Sequence, residues 1–387
     1  MTDRLYYTDA YLREFDAAVV DRADGGRRVY LDRTAFYPTS GGQPFDIGRL
    51  DGASVVDVVD EEDRIAHVLD APVAAARVTG RLDWARRFDH MQQHTGQHLL
   101  SAVIADLFGY TTASVHFGDA SATVDLETGD FGPDQIAETE RRVNEVVTEN
   151  RSVEVTFEDA ATVRGLRKAT ERQGLIRVVT ITDLDRSACG GTHVRATGEI
   201  GAVLLGKAER ARHSMRLEFL CGGRAVRRAR ADADLLARLS STVSAAPAEL
   251  PAVLETRQAE LKRVASENRD LTTRVAAYRA AELYAGAVPD PSGRRLIVVH
   301  EEVDSVERLR ALGQAVAALP GAVLVVATGD PPSVLIAAAP DSGLDAGKAL
   351  KSALALAGGR GGGNARLAQG TLPDRTALGA VVRALSG

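Results

Sequence analysis

Two histidines stand four residues apart in the stretch DHMQQHTGQHLLSAVIADL, at His94 and His98, and they are two of the chain's 8 histidines. A helix is predicted to begin near His90, because Asp89 and Gln92 have the spacing of a capping box. The apolar residues that recur at helical spacing are Leu99, Leu100, Val103, Ile104 and Leu107. The two imidazoles would then project from roughly the opposite side of the helix, one turn apart. Such a pair is a frequent metal-binding geometry, although two histidines packed against another element would show the same spacing.

A second cluster, DRSACGGTHV, places Cys189 and His193 on either side of two glycines. It follows a β-branched run from Ile176 to Ile181 that predicts a strand, and the glycines predict a tight loop that brings thiol and imidazole to one point. With His94 and His98, these residues make three imidazoles and one thiolate, a tetrahedral set that zinc prefers. A small buried cysteine and an incidental turn histidine are the alternative. A zinc peptidase is not favoured, since the first motif lacks the glutamate of HExxH.

The elements around these motifs predict a mixed α+β architecture. Residues 1–88 alternate short β-like runs with Gly and Asp turns, which predicts a small N-terminal β-barrel. Residues 89–223 alternate helices with strands and are predicted to form the zinc-binding α+β domain. Residues 224–288 lack strand signals, and two prolines divide them, which predicts a helical hairpin or coiled-coil linker. Residues 289–387 combine strands with helices and predict a C-terminal α/β module.

The second helical segment carries a heptad seam in which one polar residue, Asn268, interrupts apolar positions. Its other members are Leu254, Leu261, Val264, Leu271, Val275 and Tyr278. An Asn at such a position can set register and partner number, so the seam predicts a homodimer through the helical linker. Packing of the seam against the first helical segment is an equal alternative.

Three motifs together carry a family resemblance. HTGQHLL, CGGTHV and the N-terminal LDRTAFYPTSGGQPFDIGRL resemble the editing domain of alanyl-tRNA synthetases, and more closely the free-standing alanyl-tRNA editing proteins of the AlaX type. The resemblance covers residues 1 to about 222. The downstream chain, with GGRGGGNARLAQG, resembles the C-Ala domain of long AlaX forms. The resemblance implies a zinc-dependent hydrolase that deacylates alanine tRNA misacylated with serine or glycine. It also implies that the C-terminal module contacts the tRNA body.

The resemblance also implies residues of a substrate pocket. The threonine of LDRTAFYP lies where the AlaX pattern places a Thr lining the pocket, and its hydroxyl is expected to read the hydroxyl of serine. The neighbouring SGGQ loop has glycines that let backbone amides reach the substrate. The histidine of SVHFGD stands where synthetase editing domains carry Gln, and is expected to contact substrate or move a proton. The predicted residues are Thr34, Gln43 and His116 for catalysis, and Ser40, Gly41, Gly42 and Arg216 for substrate binding.

The overall charge does not predict a general nucleic-acid-binding protein, since 53 acidic residues exceed 47 basic ones for a net charge of −6. Residues 207–230 differ, because eight Lys or Arg side chains, Arg216 among them, stand against two Glu. That block could neutralise RNA phosphates, and a solvated helix start is the alternative. The loop GGRGGGN lacks the GK[ST] ending of a P-loop, so nucleotide binding is not favoured there.

The composition, 45% hydrophobic and 26% charged, is that of a globular chain and excludes disordered and fibrous classes. No apolar run approaches the ~18 residues of a membrane span, and the N-terminus is charged, so a cytoplasmic protein is expected. Two other functions stay open. A zinc hydrolase of small amides would leave the C-terminal module without a purpose. A zinc-stabilised RNA-binding or dimerising protein without catalysis would leave Thr34 and the SGGQ loop without one.

Overall fold

The computed structural model describes residues 1–301 and 305–386. Helices and sheets are mixed along the chain, which divides into two compact units, Met1–Arg238 and Leu239–Gly387. Within the described residues, no helix combines the length and the apolar character that crossing a membrane requires.

The first unit begins with short strands, most of which form a closed barrel. They are β1 (Asp3–Arg4), β2 (Glu14–Ala23), β3 (Arg28–Leu31), β4 (Arg33–Thr34), β5 (Gly48–Leu50), β6 (Ala53–Glu61), β7 (Arg64–Leu69) and β8 (Arg77–Leu82). The barrel closes through antiparallel pairs in the order β2-β3-β7-β6-β5-β8, and β1 pairs in parallel with β4. Alternate strand residues, such as Val29, Leu31 and Ile65, point inward and fill its core.

The rest of the first unit is built around one long helix. Its elements are α1 (Trp84–Phe108), β9 (Thr112–Phe117), β10 (Ala122–Leu126), α2 (Pro133–Glu149), β11 (Val153–Asp159), β12 (Leu175–Ile181), β13 (Asp185–Ala188), β14 (Val203–Ala211), β15 (Ser214–Cys221) and the start of α3 (Gly223–Val243). An antiparallel sheet, β14-β15-β10-β9, packs its apolar face against α1, and β11-β12-β13 form a second sheet. Leu99, Val103, Val124 and Phe219 lie in the shared core.

Helix α1 begins at Trp84, earlier than the predicted start near His90. The N-cap is Asp83, whose side chain accepts a hydrogen bond from a backbone N–H of the first turn. Asp89, the expected cap, lies inside the helix and forms an ion pair with Arg224 at 2.7 Å. The prediction was wrong because it relied on the capping-box spacing of Asp89 and Gln92, whereas the apolar residues Trp84 and Phe88 extend the helix one turn and more before them and pack against its core.

The second unit is a five-stranded sheet with helices on both faces. Its elements are α4 (Leu250–Gly286), β16 (Arg295–Glu301), α5 (Val306–Ala317), β17 (Ala322–Gly329), β18 (Pro332–Ala338), α6 (Ala346–Leu356), β19 (Arg360–Gly363), β20 (Leu367–Thr371) and α7 (Leu378–Ser386). The strand order is β16-β17-β18-β20-β19, parallel only between β16 and β17. One face packs against α5 and the end of α4, and the other against α6 and α7.

The segment GGRGGGN, expected to be a loop, contains the edge strand β19. Gly361 and Gly363 lie so close to β20 that a Cβ atom at either position would overlap its backbone. Glycine therefore allows this strand to approach its neighbour, against the usual weak strand preference of the residue.

The basic block at residues 207–230 is also not a helix start in its first half. Its first basic residues lie on the hairpin of β14 and β15, and only its last ones lie on α3.

In the second unit, the heptad seam of α4 is exposed, with Leu261 and Tyr278 more than two-thirds accessible.

Candidate metal centre

Four side chains from two distant parts of the chain meet in the first unit. Helix α1 presents His94 and His98 one turn apart, and the loop after β13 presents Cys189 and His193. One ligand atom from each residue lies within 4.8 Å of all the others. The Sγ of Cys189 is 3.4 Å from Nε2 of His94 and 3.3 Å from Nε2 of His193. The structure thus brings together the four residues that the sequence selects.

The CGGTH turn is held in place through its backbone. The N–H of Cys189 donates to the carbonyl of Arg177 at 3.0 Å. In return, the guanidinium of Arg177 donates to the carbonyls of Cys189 and Gly191, both at 2.8 Å. Gly191 lies against the imidazole of His94, and a Cβ atom there would overlap the ring. The second glycine of the motif is therefore required by close packing between the turn and α1.

Each imidazole of the cluster is oriented through its other nitrogen by a different group. The three contacts join His94 Nδ1 to Gln43 Oε1 at 2.8 Å, His98 Nδ1 to Asp185 Oδ2 at 3.0 Å, and His193 Nδ1 to Thr95 Oγ1 at 3.2 Å. Because an oxygen partner holds the proton on Nδ1, Nε2 is the ring nitrogen available to a metal, in His98 after loss of its second proton. The partners come from the N-terminal segment, from β13 and from α1 itself.

The charges within the cluster favour a thiolate beside an imidazolium. Burial raises the pKa of Cys189, but electrostatic interaction with His94 and His193 and the hydrogen bonds to both imidazoles outweigh it and hold that pKa well below its usual range. Burial opposes protonation of His98, yet the hydrogen bond to Asp185 and the nearby thiolate raise its pKa to about 9. Burial lowers the pKa of His193 to about 3. At neutral pH the thiolate of Cys189 therefore lies beside a protonated His98.

This donor set fits zinc. Tetrahedral zinc sites take imidazole and thiolate ligands with bonds of about 2.0 to 2.3 Å, which places neighbouring ligand atoms roughly 3.3 to 3.7 Å apart. The two nitrogen–sulfur distances of the cluster, 3.4 and 3.3 Å, agree with that spacing. Buried imidazoles with fixed Nδ1 partners are also typical of zinc ligands. Hard cations such as Mg²⁺ or Ca²⁺ prefer oxygen ligands, so the cluster does not suit them.

The predicted catalytic residue Gln43 reaches the cluster, but as a partner of a ligand. Its Oε1 accepts from His94 Nδ1 and also from the backbone N–H of Thr192 at 3.1 Å. Its Nε2 donates to Oγ1 of Thr192 at 2.8 Å. The amide is thus engaged at both ends and orients His94, whereas the sequence predicted a direct role in the reaction.

The other residues of the SGGQ loop lie nearby. Gly41 and Gly42 adopt positive φ values of 58° and 85°, which glycine tolerates best. Gly42 lies against the ring of Phe117, and that ring is centred 5.2 Å from the ring of His94. Ser40 is exposed and forms a bridge to the end of the loop. The loop therefore borders the cluster.

Thr34 lies inside the barrel rather than on an open pocket wall. Its side chain is fully buried. Its Oγ1 is 2.8 Å from Nε2 of His67 and accepts from the N–H of Phe36 at 3.1 Å. The Nδ1 of His67 lies 3.2 Å from the carbonyl of Val29, so Nδ1 carries the proton and Thr34 donates to Nε2. The hydroxyl expected to read a substrate is already committed to the barrel.

His116 and Arg216 face away from the cluster. Along β9, Val115 and Phe117 pack toward α1, so the side chain between them points to the other face of the sheet. The His116 side chain is 58% exposed, and its Nε2 lies 3.5 Å from the carboxylate of Asp125. Arg216 pairs with the same carboxylate at 2.7 Å. The sequence placed both residues at the substrate, and strand alternation puts them on the opposite side of the sheet from His94.

Three residues of the centre were missed by the sequence analysis. Thr95 and Thr192 lie inside the two motifs, next to predicted ligands; the hydroxyl of Thr95 contacts His193, and that of Thr192 accepts from Gln43. The side chain of Asp185 is fully buried and also accepts from Nε of Arg167 at 2.7 Å. No sequence pattern connects this aspartate to α1, because only the fold brings β13 beside the helix.

Comparisons with known proteins match the part of the chain that holds the CGGTH turn. The model of the threonyl and alanyl tRNA synthetase second additional domain matches residues 176–217. Alanyl-tRNA editing protein AlaX-L of Pyrococcus horikoshii is 36% identical over 241 residues, 58% of this chain and 59% of its own. The alanine–tRNA ligase of Halobacterium salinarum is 34% identical over 400 residues, 97% of this chain and 43% of its own. The chain thus spans 59% and 43% of the lengths of these two relatives.

A solved structure, the C-Ala domain of Aquifex aeolicus alanyl-tRNA synthetase, matches with 29% identity and a TM-score of 0.21, covering 26% of this chain and 96% of that one. Alanyl-tRNA editing protein AlaX-M of Methanosarcina acetivorans is 38% identical over 232 residues, which are 54% of this chain and 94% of the relative. Since nearly the whole of that relative is matched, this chain belongs to the AlaX family of alanyl-tRNA editing proteins.

Proposed function

We propose that this chain is a zinc-dependent deacylase that hydrolyses the ester linking serine or glycine to the terminal ribose of misacylated alanine tRNA. Membership of a family named for alanyl-tRNA editing supports the substrate class. The observation that carries the proposal is the buried cluster of three imidazoles and one thiol, in which each imidazole is oriented by its own partner. A cluster arranged in this way is typical of a metal site.

The chain's own residues would prepare the site for ester hydrolysis. His94, His98, Cys189 and His193 would hold zinc, which when bound supplies Lewis acidity toward an ester carbonyl and a fixed point for orienting it. Gln43 and Asp185 keep two of the imidazoles in the ligating tautomer. The glycine turn next to Phe117 lacks side chains, so its backbone can lie close to the acylated end of the tRNA.

Substrate choice requires a polar contact. Serine exceeds alanine by one hydroxyl, and a site that hydrogen-bonds this hydroxyl loses about 1 to 3 kcal/mol when alanine leaves the partner unpaired. Steric exclusion would reject the larger side chain, so it cannot select serine over alanine. Thr34, which is buried and bonded to His67, is poorly placed for this contact.

The proposal extends to the second unit. The alignment with an alanine–tRNA ligase covers both units, which supports a C-Ala-like module at residues 289–387 that contacts the tRNA body. The hairpin of β14 and β15 adds basic side chains for RNA phosphates. We further propose the division into a barrel (1–88), an editing domain (89–223) and a helical linker (224–288). The exposed seam of α4 supports homodimerisation through that linker.

The test is a deacylation assay with purified protein and alanine tRNA charged with serine, glycine or alanine. Hydrolysis of the first two substrates, loss of activity after chelation and recovery with added zinc are expected. Full activity in a preparation shown to be free of zinc would contradict the metal. Tight tRNA binding without cleavage would instead favour a zinc-stabilised RNA-binding protein. Cleavage of small amides alone would favour a zinc amidase.

A further inference from the structure

Arg177 is a buried cation at the centre of the first unit. It lies on β12 and is 6% exposed. Its guanidinium donates to three carbonyl oxygens: to Cys189 and Gly191 through Nη1, both at 2.8 Å, and to Tyr7 through Nε at 3.1 Å. Two of these carbonyls belong to the turn that carries the thiol, and the third belongs to the N-terminal segment.

The charge of Arg177 is not balanced by a conventional ion pair. In residues 1–301 and 305–386, no carboxylate lies within ion-pair distance of this guanidinium. A buried cation without an acidic partner is costly, by several kcal/mol in typical cases. Its arrangement is therefore explained best by the groups that it does contact, the backbone of the CGG turn and the carbonyl and ring of Tyr7.

The contacts of Arg177 hold the CGG turn from both sides. Arg177 accepts through its own carbonyl from the N–H of Cys189 and donates through its side chain to the carbonyl of the same residue. The second contact of Nη1, to Gly191, fixes the other side of the turn. A planar guanidinium can donate to three carbonyl oxygens at fixed relative positions. A lysine ammonium, by contrast, acts as a point charge on a flexible side chain.

We propose that Arg177 is a positioning residue of the metal centre, which fixes the CGG turn so that the thiolate of Cys189 and the imidazole of His193 converge on one ion. This inference rests on the proposed zinc site. The link to Tyr7 makes the N-terminal segment part of the same support. Arg177 would act through the ligands and would not touch the substrate.

The experiment measures metal binding directly, with two variants and a control. Arg177→Met removes both the charge and the hydrogen bonds and keeps an unbranched side chain. Arg177→Lys keeps the charge but loses the planar guanidinium with its several N–H donors. Arg186→Met is the control, because Arg186 lies on neighbouring β13 and pairs with Glu158 on the partly exposed side of the same sheet. Zinc affinity is measured by chelator competition, and the cobalt-substituted protein reports ligand geometry through its absorption bands.

Both Arg177 variants are expected to lose about 10- to 100-fold in zinc affinity, the usual effect of removing a group that orients a metal ligand. Their cobalt spectra should show a weakened sulfur-to-metal band, while the control keeps both properties. A folded Arg177→Met protein with wild-type affinity and spectrum would overturn the role. If that variant does not fold, wild-type metal binding by Arg177→Lys would overturn it. A wild-type protein that binds no zinc would refute the proposed function itself. That result differs from failure of the Arg177 role alone, in which the wild-type protein still binds zinc.

Discussion

The carboxylate of Asp185 and the imidazole of His98 are joined by a 3.0 Å hydrogen bond between Oδ2 and Nδ1 inside the first unit. The aspartate comes from β13 and the histidine from α1, so the contact ties the sheet that carries the CGG turn to the helix that carries the other two ligands. The second oxygen of Asp185 accepts from Arg167 at 2.7 Å. Orientation of His98 therefore depends on a carboxylate that is itself held in place.

Replacing Asp185 with Asn is expected to lower zinc affinity by about 10- to 100-fold, because the charge that holds His98 is lost while the shape is kept. Chelator competition would measure the change. Glu158→Gln is the matched control, since Glu158 pairs with an arginine on the same sheet without contacting a ligand. An equal effect of both substitutions would mean that Asp185 acts only through the stability of the sheet.

The two glycines of the CGGTH motif should respond differently to alanine. At Gly191 a Cβ atom would overlap the ring of His94, so Gly191→Ala must displace either the turn or the ligand. At Gly190 the nearest atom to such a Cβ atom, Oη of Tyr7, is 3.6 Å away, which is ordinary contact. We expect Gly191→Ala to lose zinc and deacylation, and Gly190→Ala to keep both. Retention of bound zinc by both variants would show that the turn adapts.

Zinc affinity should rise with pH. The hydrogen bond to Asp185 raises the pKa of His98 to about 9 against burial, so a metal ion must displace one proton at any pH below that value. The apparent affinity is then expected to increase about tenfold per pH unit between roughly pH 7 and 9 and to level off above it. Titrations in buffers of constant ionic strength would test this. A flat profile over that range would mean that His98 is neutral before metal binds.

Thr34→Val is expected to destabilise the first unit by about 1 to 3 kcal/mol, because Nε2 of His67 and the N–H of Phe36 both lose a partner in the barrel core. Urea unfolding would measure the loss. Because the hydroxyl is committed to the barrel, hydrolysis of serine- and glycine-charged tRNA should change by the same factor. A loss confined to the serine substrate would instead restore Thr34 as the residue that reads the hydroxyl.

A fragment of residues 1–243 should keep the metal site and cleave the ester with weakened tRNA binding. The first unit has its own cores, and α3 ends at Val243, so this boundary leaves the helix whole. We expect an increase in KM with little change in kcat, since binding energy common to ground and transition states is removed. The salt dependence of tRNA affinity should be less steep than in the full chain. Unchanged affinity and slope would refute tRNA contact by the second unit.

The metal ligands could be predicted from the sequence because the chemistry depends on residue type and local spacing. The i,i+4 pair at His94 and His98, and the glycine turn between Cys189 and His193, are visible without knowledge of the fold. The exposed position of His116 was not visible in the sequence, because it depends on which face of β9 packs against α1, a tertiary property. The strand β19 was missed because glycine has low strand propensity, and only the close approach of β20 explains it there.

The ligands also divide into two pairs separated by ~90 residues of chain, with α2, β11 and β12 among the elements between them. A bound ion would act as a cross-link that closes this loop, and loops of such length contribute on the order of 4 kcal/mol through the entropy of the unfolded chain. The ion would thus stabilise the folded chain, and its removal would reverse that stabilisation. The four ligands converge only where α1 packs beside the loop after β13, so in a cell short of zinc the chain would be less resistant to unfolding and to proteases.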